Sequence, residues 1–146
     1  MNPIADNTLK LEEQLCFPLY ACSREAIKRY RPFLDALELT YTQYIMLVVI
    51  WETGTISVRD LGRKLYLDSG TLTPVLKHLE QRGLITRRRW DKDERVLMVT
   101  TTEQGQELHA RAQAQAELTP IPMSLSAEES AQLLQLLNKL LQSAGE

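Results

Sequence analysis

Apolar residues recur at helical spacing along most of this 146-residue chain, and the pattern therefore predicts a mainly α fold. A first helix is predicted over residues 8–30, where Pro18 should kink the helix or break a turn near the first cysteine. The pair Arg31-Pro32 should end it, because a residue before proline avoids helical backbone geometry. Residues 33–39 are then expected to form a short helical link.

A central helix is predicted next. Thr40 and Gln43 have the spacing of a capping box, in which Gln43 occupies the third helical position. Residues 44–51 are nearly all apolar, which is typical of a helix covered on every side. Residues 52–55 should close this helix.

Two shorter helices joined by a tight turn are predicted between Ser57 and Gly83. Ser57 should cap the first, Asp68 or Ser69 should cap the second, and Gly83 suits a left-handed closing position. Pro74 should bend the second helix slightly. The apolar residues that the two helices turn inward are Val58, Leu61, Leu65, Leu72, Val75, Leu76 and Leu79.

The outer face of the second helix carries polar side chains of the kind that reach phosphates and base edges in a major groove. These residues are Ser69, Thr71, Thr73, Lys77 and Gln81. Two β-prone runs, 85–89 and 96–100, then surround the polar loop 90–95 and predict a hairpin, with Arg87 and Arg88 as candidate phosphate contacts. The predicted fold is a winged helix-turn-helix, mainly α with a small β-hairpin wing.

Two helices complete the chain. An Ala/Gln-rich helix is predicted over 106–117, residues 119–122 should break it, and a capping box at Ser126 and Glu129 should open a last helix. A leucine stripe on that helix is too wide for the surface helix of a monomer: Leu133, Leu134, Leu136, Leu137, Leu140 and Leu141. With the first helix, it predicts a two-fold homodimer that matches a pseudo-palindromic operator.

The length indicates a single domain, 1–146, with dimerisation helices at 8–38 and 106–143 and a DNA-binding lobe at 40–101. Charge is distributed unevenly between these parts. Residues 58–95 hold ten Lys/Arg and six Asp/Glu, or +4, whereas the remainder holds seven and thirteen, or −6. Because DNA affinity comes from local phosphate neutralisation, this distribution favours double-stranded DNA as the partner of the lobe.

Several classes of protein are excluded by simpler observations. No apolar run approaches the roughly 20 residues of a membrane span, and no basic region followed by an apolar stretch opens the chain. We therefore expect a cytoplasmic protein with no membrane partner, in which Cys16 and Cys22 are free thiols. His78 and His109 lack partners at metal-ligand spacing, so neither a metal nor a cofactor is expected.

Four strings carry a resemblance to a known family: LEEQLCFPLYACSRE (11–25), LTYTQYIMLVVIWE (39–52), LYLDSGTLTPVLKHLE (65–80) and DER (93–95). They are similar to the organic-hydroperoxide-sensing, OhrR-type branch of the MarR family of dimeric bacterial repressors. The order of helices, helix-turn-helix, wing and long helices resembles that family over essentially the whole chain.

The resemblance implies roles for five residues. Cys16 falls on the peroxide-sensing thiol of the branch, and Tyr30 and Tyr41 fall on two tyrosines that contact this thiol from the partner subunit. Arg95 falls on the wing-tip residue that enters the minor groove, and Asp93 on the carboxylate that orients it. The resemblance thus implies a repressor, not an enzyme, that releases its operator when organic hydroperoxide oxidises Cys16.

The chemistry favours one sensing cysteine completed by an external small thiol. A thiolate that attacks a hydroperoxide becomes a sulfenic acid, which condenses with a thiol or a backbone nitrogen, or oxidises further. Cys22 lies six residues after Cys16, about 9 Å along a helix, so an internal disulfide would require local unwinding. Pro18 departs from the aliphatic residue expected there, and the C-terminal half has no cysteine that could resolve the sulfenic acid.

Other interpretations remain open at this stage. Cys16 could be a small buried hydrophobe, and Tyr30 and Tyr41 could be ordinary core tyrosines. The chain could instead be a MarR-type repressor released by a small aromatic ligand. It could also be a thiol peroxidase, although no Cys-x-x-Cys motif or alternating α/β pattern supports one, or a winged-helix module that binds only proteins.

Overall fold

The computed structural model describes residues 9–121 and 123–144, and the described part contains six α-helices and one three-stranded antiparallel sheet. A short 3-10 turn at Leu11–Glu13 precedes them. The elements are α1 Cys16–Ala36, α2 Tyr41–Thr53, β1 Thr55–Ser57, α3 Val58–Leu65, α4 Ser69–Gln81, β2 Ile85–Trp90, β3 Asp93–Thr101, α5 Glu103–Leu118 and α6 Ala127–Ala144. The predicted mainly α fold with a winged helix-turn-helix is confirmed.

The first helix begins and ends later than predicted. It starts at Cys16, so the prediction of a helix from residue 8 is wrong for the described residues, and residue 8 itself lies outside them. The predicted break near Pro18 does occur, and Pro18 then lies in the first turn of α1. A missing N–H costs little there, because the first four N–H groups of any helix lack intrahelical partners.

The prediction that Arg31-Pro32 ends the helix is also wrong. Helix α1 continues through Pro32 to Ala36, so residues 33–39 do not form a separate link. An interior proline costs roughly 3 kcal/mol. Continuing the helix buries Phe33 and Leu34, which are 3% and 5% exposed, and each such side chain contributes about 1.5–3 kcal/mol. The burial of both side chains therefore offsets the cost of the proline.

Side-chain caps start the helices where the sequence predicted them. The Thr40 hydroxyl accepts from the Gln43 backbone N–H while the side-chain Oε1 of Gln43 accepts from the Thr40 backbone N–H, a complete capping box. Asp68, rather than Ser69, caps α4 by accepting the Thr71 N–H at 2.8 Å. Equivalent caps are formed by Ser57 on α3, by Thr102 on α5 and by Ser126 with Glu129 on α6.

The core is centred on α2. Met46, Leu47 and Ile50 on this helix are fully buried, whereas Tyr44, Ile45, Val48 and Trp51 are partly exposed, so the helix is not covered on every side as predicted. The helix-turn-helix packs against it through Leu61, Leu72, Leu76 and Leu79, which are also buried. The lobe therefore shares one hydrophobic core with Phe33 and Leu34 of α1 and Leu108 of α5, and this core holds the outer face of α4 toward solvent.

The sheet contains one strand that the sequence did not predict. The segment Thr55–Ser57 is β1 and pairs antiparallel with β3 through Ile56 and Val99, whereas the sequence had assigned Thr55 to the close of the central helix and Ser57 only to a helix cap. The strand order is β1-β3-β2. Strands β2 and β3 are longer than predicted, because Trp90 pairs with Asp93 and leaves a two-residue turn at the wing tip.

The last helices are placed as predicted, with α5 slightly longer at both ends. Pro122, part of the predicted break, lies outside the described residues. Helix α6 has no buried residue in the described chain, and Leu134 and Leu136 are 62% and 60% exposed. No single described helix is long and apolar enough to span a membrane; α1 and α2 together, bent by 70°, meet that criterion by length and composition.

Candidate DNA interface and sensor site

The outer face of α4 presents the polar residues predicted to contact DNA. Leu72, Leu76 and Leu79 anchor the inner face in the core, which fixes the rotation of the helix about its axis. Pro74 lies inside α4, in its second turn. All five predicted contact residues are exposed on the helix: Ser69, Thr71, Thr73, Lys77 and Gln81.

Arg95 and Asp93 form a tightly organised pair near the wing tip. The guanidinium donates from Nε to Oδ1 and from Nη2 to Oδ2 of Asp93, at 3.0 and 3.1 Å, and the Arg95 N–H also donates to Oδ1. These hydrogen bonds lower the pKa of the Asp93 carboxyl. The Arg95 side chain is 90% exposed, so a single rotamer of a cation is held outward in solvent.

Arg87 occupies a different environment from the one predicted. Its guanidinium donates to Glu80 Oε1 at 3.1 Å, its N–H donates to Oε2, and its side chain is only 19% exposed. The hydrogen bonds from Arg87 lower the pKa of Glu80. Arg87 therefore joins α4 to β2 rather than facing a phosphate, whereas Arg88 is exposed as predicted.

Cys16 is exposed and is the first residue of α1. The sequence had placed this cysteine inside the first helix, whereas the structure places it at the first helical residue. Cys22 is also exposed and free, one and a half turns farther along the same helix.

Tyr30 and Tyr41 lie together within one protomer, with ring centroids 5.3 Å apart at an angle of 73°. Tyr44 completes the cluster and packs edge-on against Phe33. Burial, then the neighbouring Tyr30 hydroxyl, raises the pKa of Tyr41 and Tyr44, so both phenols remain hydrogen-bond donors at neutral pH. Tyr44 was missed, although its position three residues after Tyr41 places both on one face of α2.

The structure does not bring Cys16 and Tyr30 of one protomer together. They are the first and fifteenth residues of α1, which separates them by about 21 Å along the helix axis. Any contact between this thiol and the tyrosine cluster must therefore join two copies of the chain.

A small cavity of about 260 Å³ lies between α2 and α5. One wall is Trp51, whose ring stacks on His109 at a centroid distance of 4.7 Å and whose Nε1–H donates to the Gly105 carbonyl. The cavity is smaller than the roughly 300–1,000 Å³ of typical small-molecule sites. Among the described residues, no group of three or more His, Cys, Asp or Glu could hold a metal ion.

Comparisons with known proteins point to a single family. The profile of the MarR family matches residues 39–97. The chain is 48% identical over 132 residues to the organic hydroperoxide resistance transcriptional regulator of Bacillus subtilis, an alignment that covers 90% of this chain and 88% of the relative. These matches confirm the predicted resemblance and the expectation of a transcriptional regulator rather than an enzyme.

Solved structures agree with this result. Reduced AbfR bound to DNA is 34% identical and superposes with a TM-score of 0.77, over 93% of this chain and 95% of that one. Overoxidized AbfR bound to DNA is 34% identical, with a TM-score of 0.76 over 92% and 94% of the two chains. Both are structures of a winged-helix regulator in contact with DNA.

Proposed function

We propose that this chain, which belongs to the MarR family of transcriptional regulators, acts as a dimeric DNA-binding repressor that is controlled by oxidation of Cys16. The observation that carries the proposal is an exposed thiol at the first residue of α1, in a chain 48% identical to an organic hydroperoxide resistance regulator. A DNA-binding regulator of this family works in the cytoplasm.

The lobe at 40–101 binds DNA through two elements. Helix α4 enters the major groove with the exposed residues of its outer face, and Arg95 enters the adjacent minor groove, held straight by Asp93. Arg88 neutralises a phosphate. Arg87 is left out of this set, because its guanidinium already pairs with Glu80.

The segments at 8–38 and 106–143 form the dimer. Apolar side chains of α1 and α6 that face solvent in one protomer supply the contact, including Leu15, Phe17 and Leu134. In that dimer, Tyr30 and Tyr41 of the partner subunit donate hydrogen bonds to the Cys16 thiolate. The two lobes then lie on the half-sites of a pseudo-palindromic operator.

Oxidation proceeds in two balanced steps. The Cys16 thiolate attacks the outer oxygen of an organic hydroperoxide, the O–O bond breaks, and an alcohol leaves after protonation, which converts the thiolate to a sulfenic acid. A small thiol then displaces the hydroxyl from sulfur, which yields a mixed disulfide and water. Because AbfR occurs on DNA in an overoxidized form, we assign release to the bulkier mixed disulfide rather than to a sulfinate.

The test is DNA binding measured by fluorescence anisotropy, with DNA from the region upstream of the chain's own gene. Wild type, Cys16→Ser and Cys22→Ser are each titrated after reduction, and again after cumene hydroperoxide with a small thiol. Wild type and Cys22→Ser should lose at least 100-fold in affinity on oxidation, about 2.7 kcal/mol, while Cys16→Ser should lose none. Release from oxidised Cys16→Ser would overturn the assignment of the sensor.

A repressor released by a small aromatic ligand is not favoured by the comparisons, and the 260 Å³ cavity beside Trp51 is small for such a ligand. Salicylate added to reduced Cys16→Ser separates the two functions. Release under those conditions would support the ligand, and retained binding would support the redox mechanism.

A further inference from the structure

A groove of about 860 Å³ runs between the start of α3 and the wing. It borders Arg95 at its outer end and the first turn of α3 at its inner end. We call it the wing groove, and the residues that determine its chemistry are Ser57, Arg59, Asp60, Arg63, Asp93 and Arg95.

The groove exists because β1 is short. In the described chain, β1 pairs with β3 at Met98, Val99 and Thr100, while β3 extends outward to Asp93. The outer part of β3 is therefore not covered by β1, and α3 turns away from it at Ser57.

Two of the three arginines in the wing groove have a carboxylate partner in the described part of the chain, and one does not. Asp93 holds Arg95, and Asp60 lies 3.9 Å from Arg63. Arg59 is exposed on the same face of α3 as Arg63, one turn earlier, and forms no ion pair within the described residues. Both carboxylates of the groove already have a cationic partner, so Arg59 is the charge that remains for an anion.

We propose that Arg59, supported by Arg63, binds backbone phosphates of the DNA strand that separates the major groove entered by α4 from the minor groove entered by Arg95. This inference rests on the proposed function and adds a third contact surface to it. A strand that divides these two grooves must pass between the helix-turn-helix and the wing, which is where the wing groove lies.

A phosphate contact has a signature that distinguishes it from a base contact. Each neutralised phosphate adds about 0.9 to the slope of the logarithm of the binding constant against the logarithm of salt concentration. Arg59→Gln should therefore lower that slope by about 0.9, and Arg59→Lys should restore most of it. The loss should be equal on the operator and on a scrambled duplex, since phosphates carry no sequence information.

The matched control is Lys64→Gln, which removes a basic residue of the same helix that does not line the groove. Its salt slope should equal that of wild type. Circular dichroism melting of each variant excludes a loss of fold as the cause. An unchanged slope for Arg59→Gln, or an equal decrease for Lys64→Gln, would overturn the proposal.

Methylphosphonate substitution identifies the phosphate. Replacing backbone phosphates beside the wing one at a time should lower the slope for wild type at one or two positions, with no further decrease at those positions for Arg59→Gln. Calorimetry with inorganic phosphate tests the other source of the same chemistry. Arg59-dependent binding of free phosphate together with an unchanged DNA slope would assign the groove to a small anion and overturn the proposal.

The outcomes separate the two inferences. If reduced wild type binds the operator and Arg59→Gln leaves the salt slope unchanged, the proposed function stands and only the phosphate contact is ruled out. Failure of reduced wild type to bind DNA would remove both.

Discussion

The DNA-binding lobe and the outer helices bury their apolar residues to very different extents. Within the lobe, Leu47, Leu61 and Leu76 are fully buried in a single chain. Helix α6 is as leucine-rich as any part of the lobe, yet five of its described leucines are 41% exposed or more: Leu133, Leu134, Leu136, Leu140 and Leu141. The lobe buries its apolar residues within one chain, in a core that it shares with α1 and α5, whereas α6 presents an apolar face that the proposed dimer would cover.

This difference shows that local signals and packing act separately. The capping box of Ser126 and Glu129 is as complete as that of Thr40 and Gln43, and each starts its helix correctly. A cap determines where a helix begins and contributes nothing to where it docks. Docking of α2 follows from apolar residues on all of its sides, while α6 carries an apolar stripe on one side.

The largest expected effect is the loss of folding stability when a buried leucine of the lobe is truncated. Leu76→Ala leaves a cavity in a fully packed site and should lower the free energy of unfolding by about 2–5 kcal/mol. The shift in urea midpoint should be the same at all protein concentrations, because the site lies inside one protomer. If the shift in urea midpoint disappeared at high protein concentration, Leu76 would lie at an interface between protomers, and the difference between the lobe and α6 would not hold.

Truncating a leucine of α6 should act on association instead. Leu134 is 62% exposed in the protomer, and Leu134→Ala should weaken the dimer by about 1.5–3 kcal/mol per buried copy. Sedimentation equilibrium should show a raised dissociation constant. Unfolding of the dilute monomer should be unchanged, and Gln135→Ala, on the same helix, is the control for helix propensity.

Removing the cap of the recognition helix should cost less. Asp68→Ala deletes the acceptor of the Thr71 N–H and should destabilise the lobe by about 1 kcal/mol. Ser69→Ala, the adjacent control without a cap hydrogen bond in the described structure, should stay within about 0.5 kcal/mol of wild type. Equal effects of both variants in chemical denaturation would refute the assignment of the cap.

The smallest expected effect concerns the Glu80–Arg87 pair. Because the folded state lowers the pKa of Glu80, its stabilisation is fully present above the unfolded pKa of about 4.3 and disappears as pH falls through the folded value. The stability difference between wild type and Glu80→Gln should be less than about 1 kcal/mol near neutrality and shrink below about pH 4.5. Glu107→Gln, at an exposed position of α5, is the matched control for the removal of a carboxylate.

Much of the fold could be predicted because its signals are local. A nearly unbroken apolar run identified α2, periodicity identified α4, and hydroxyl or carboxylate caps indicated where both begin. The start of α1 and the strand β1 could not be predicted in this way. Strand β1 has three residues and exists only because Val99, more than forty positions away, lies beside Ile56.

The candidate site also combines features that local sequence predicts with features that depend on long-range packing. The exposed face of α4 follows from spacing along the chain. The pair of Asp93 and Arg95 was expected from the family resemblance, and the structure joins their side chains by hydrogen bonds. The engagement of Arg87 by Glu80 depends on how the wing packs against α4, which spacing does not reveal. Contact between Cys16 and the tyrosines requires two chains, so it stays a prediction.

The chain has two tryptophans, and the structure places them at opposite ends of the proposed mechanism. Trp51 is packed against His109, where α2 meets α5, whereas Trp90 is 42% exposed at the wing with Lys92 over its ring. Intrinsic fluorescence is therefore a two-site optical reporter without any label. Trp90→Phe leaves a signal from the junction of the lobe with α5, and Trp51→Phe leaves one from the wing. Stopped-flow traces of the two variants would time the arrival of an oxidation signal at each end of the molecule.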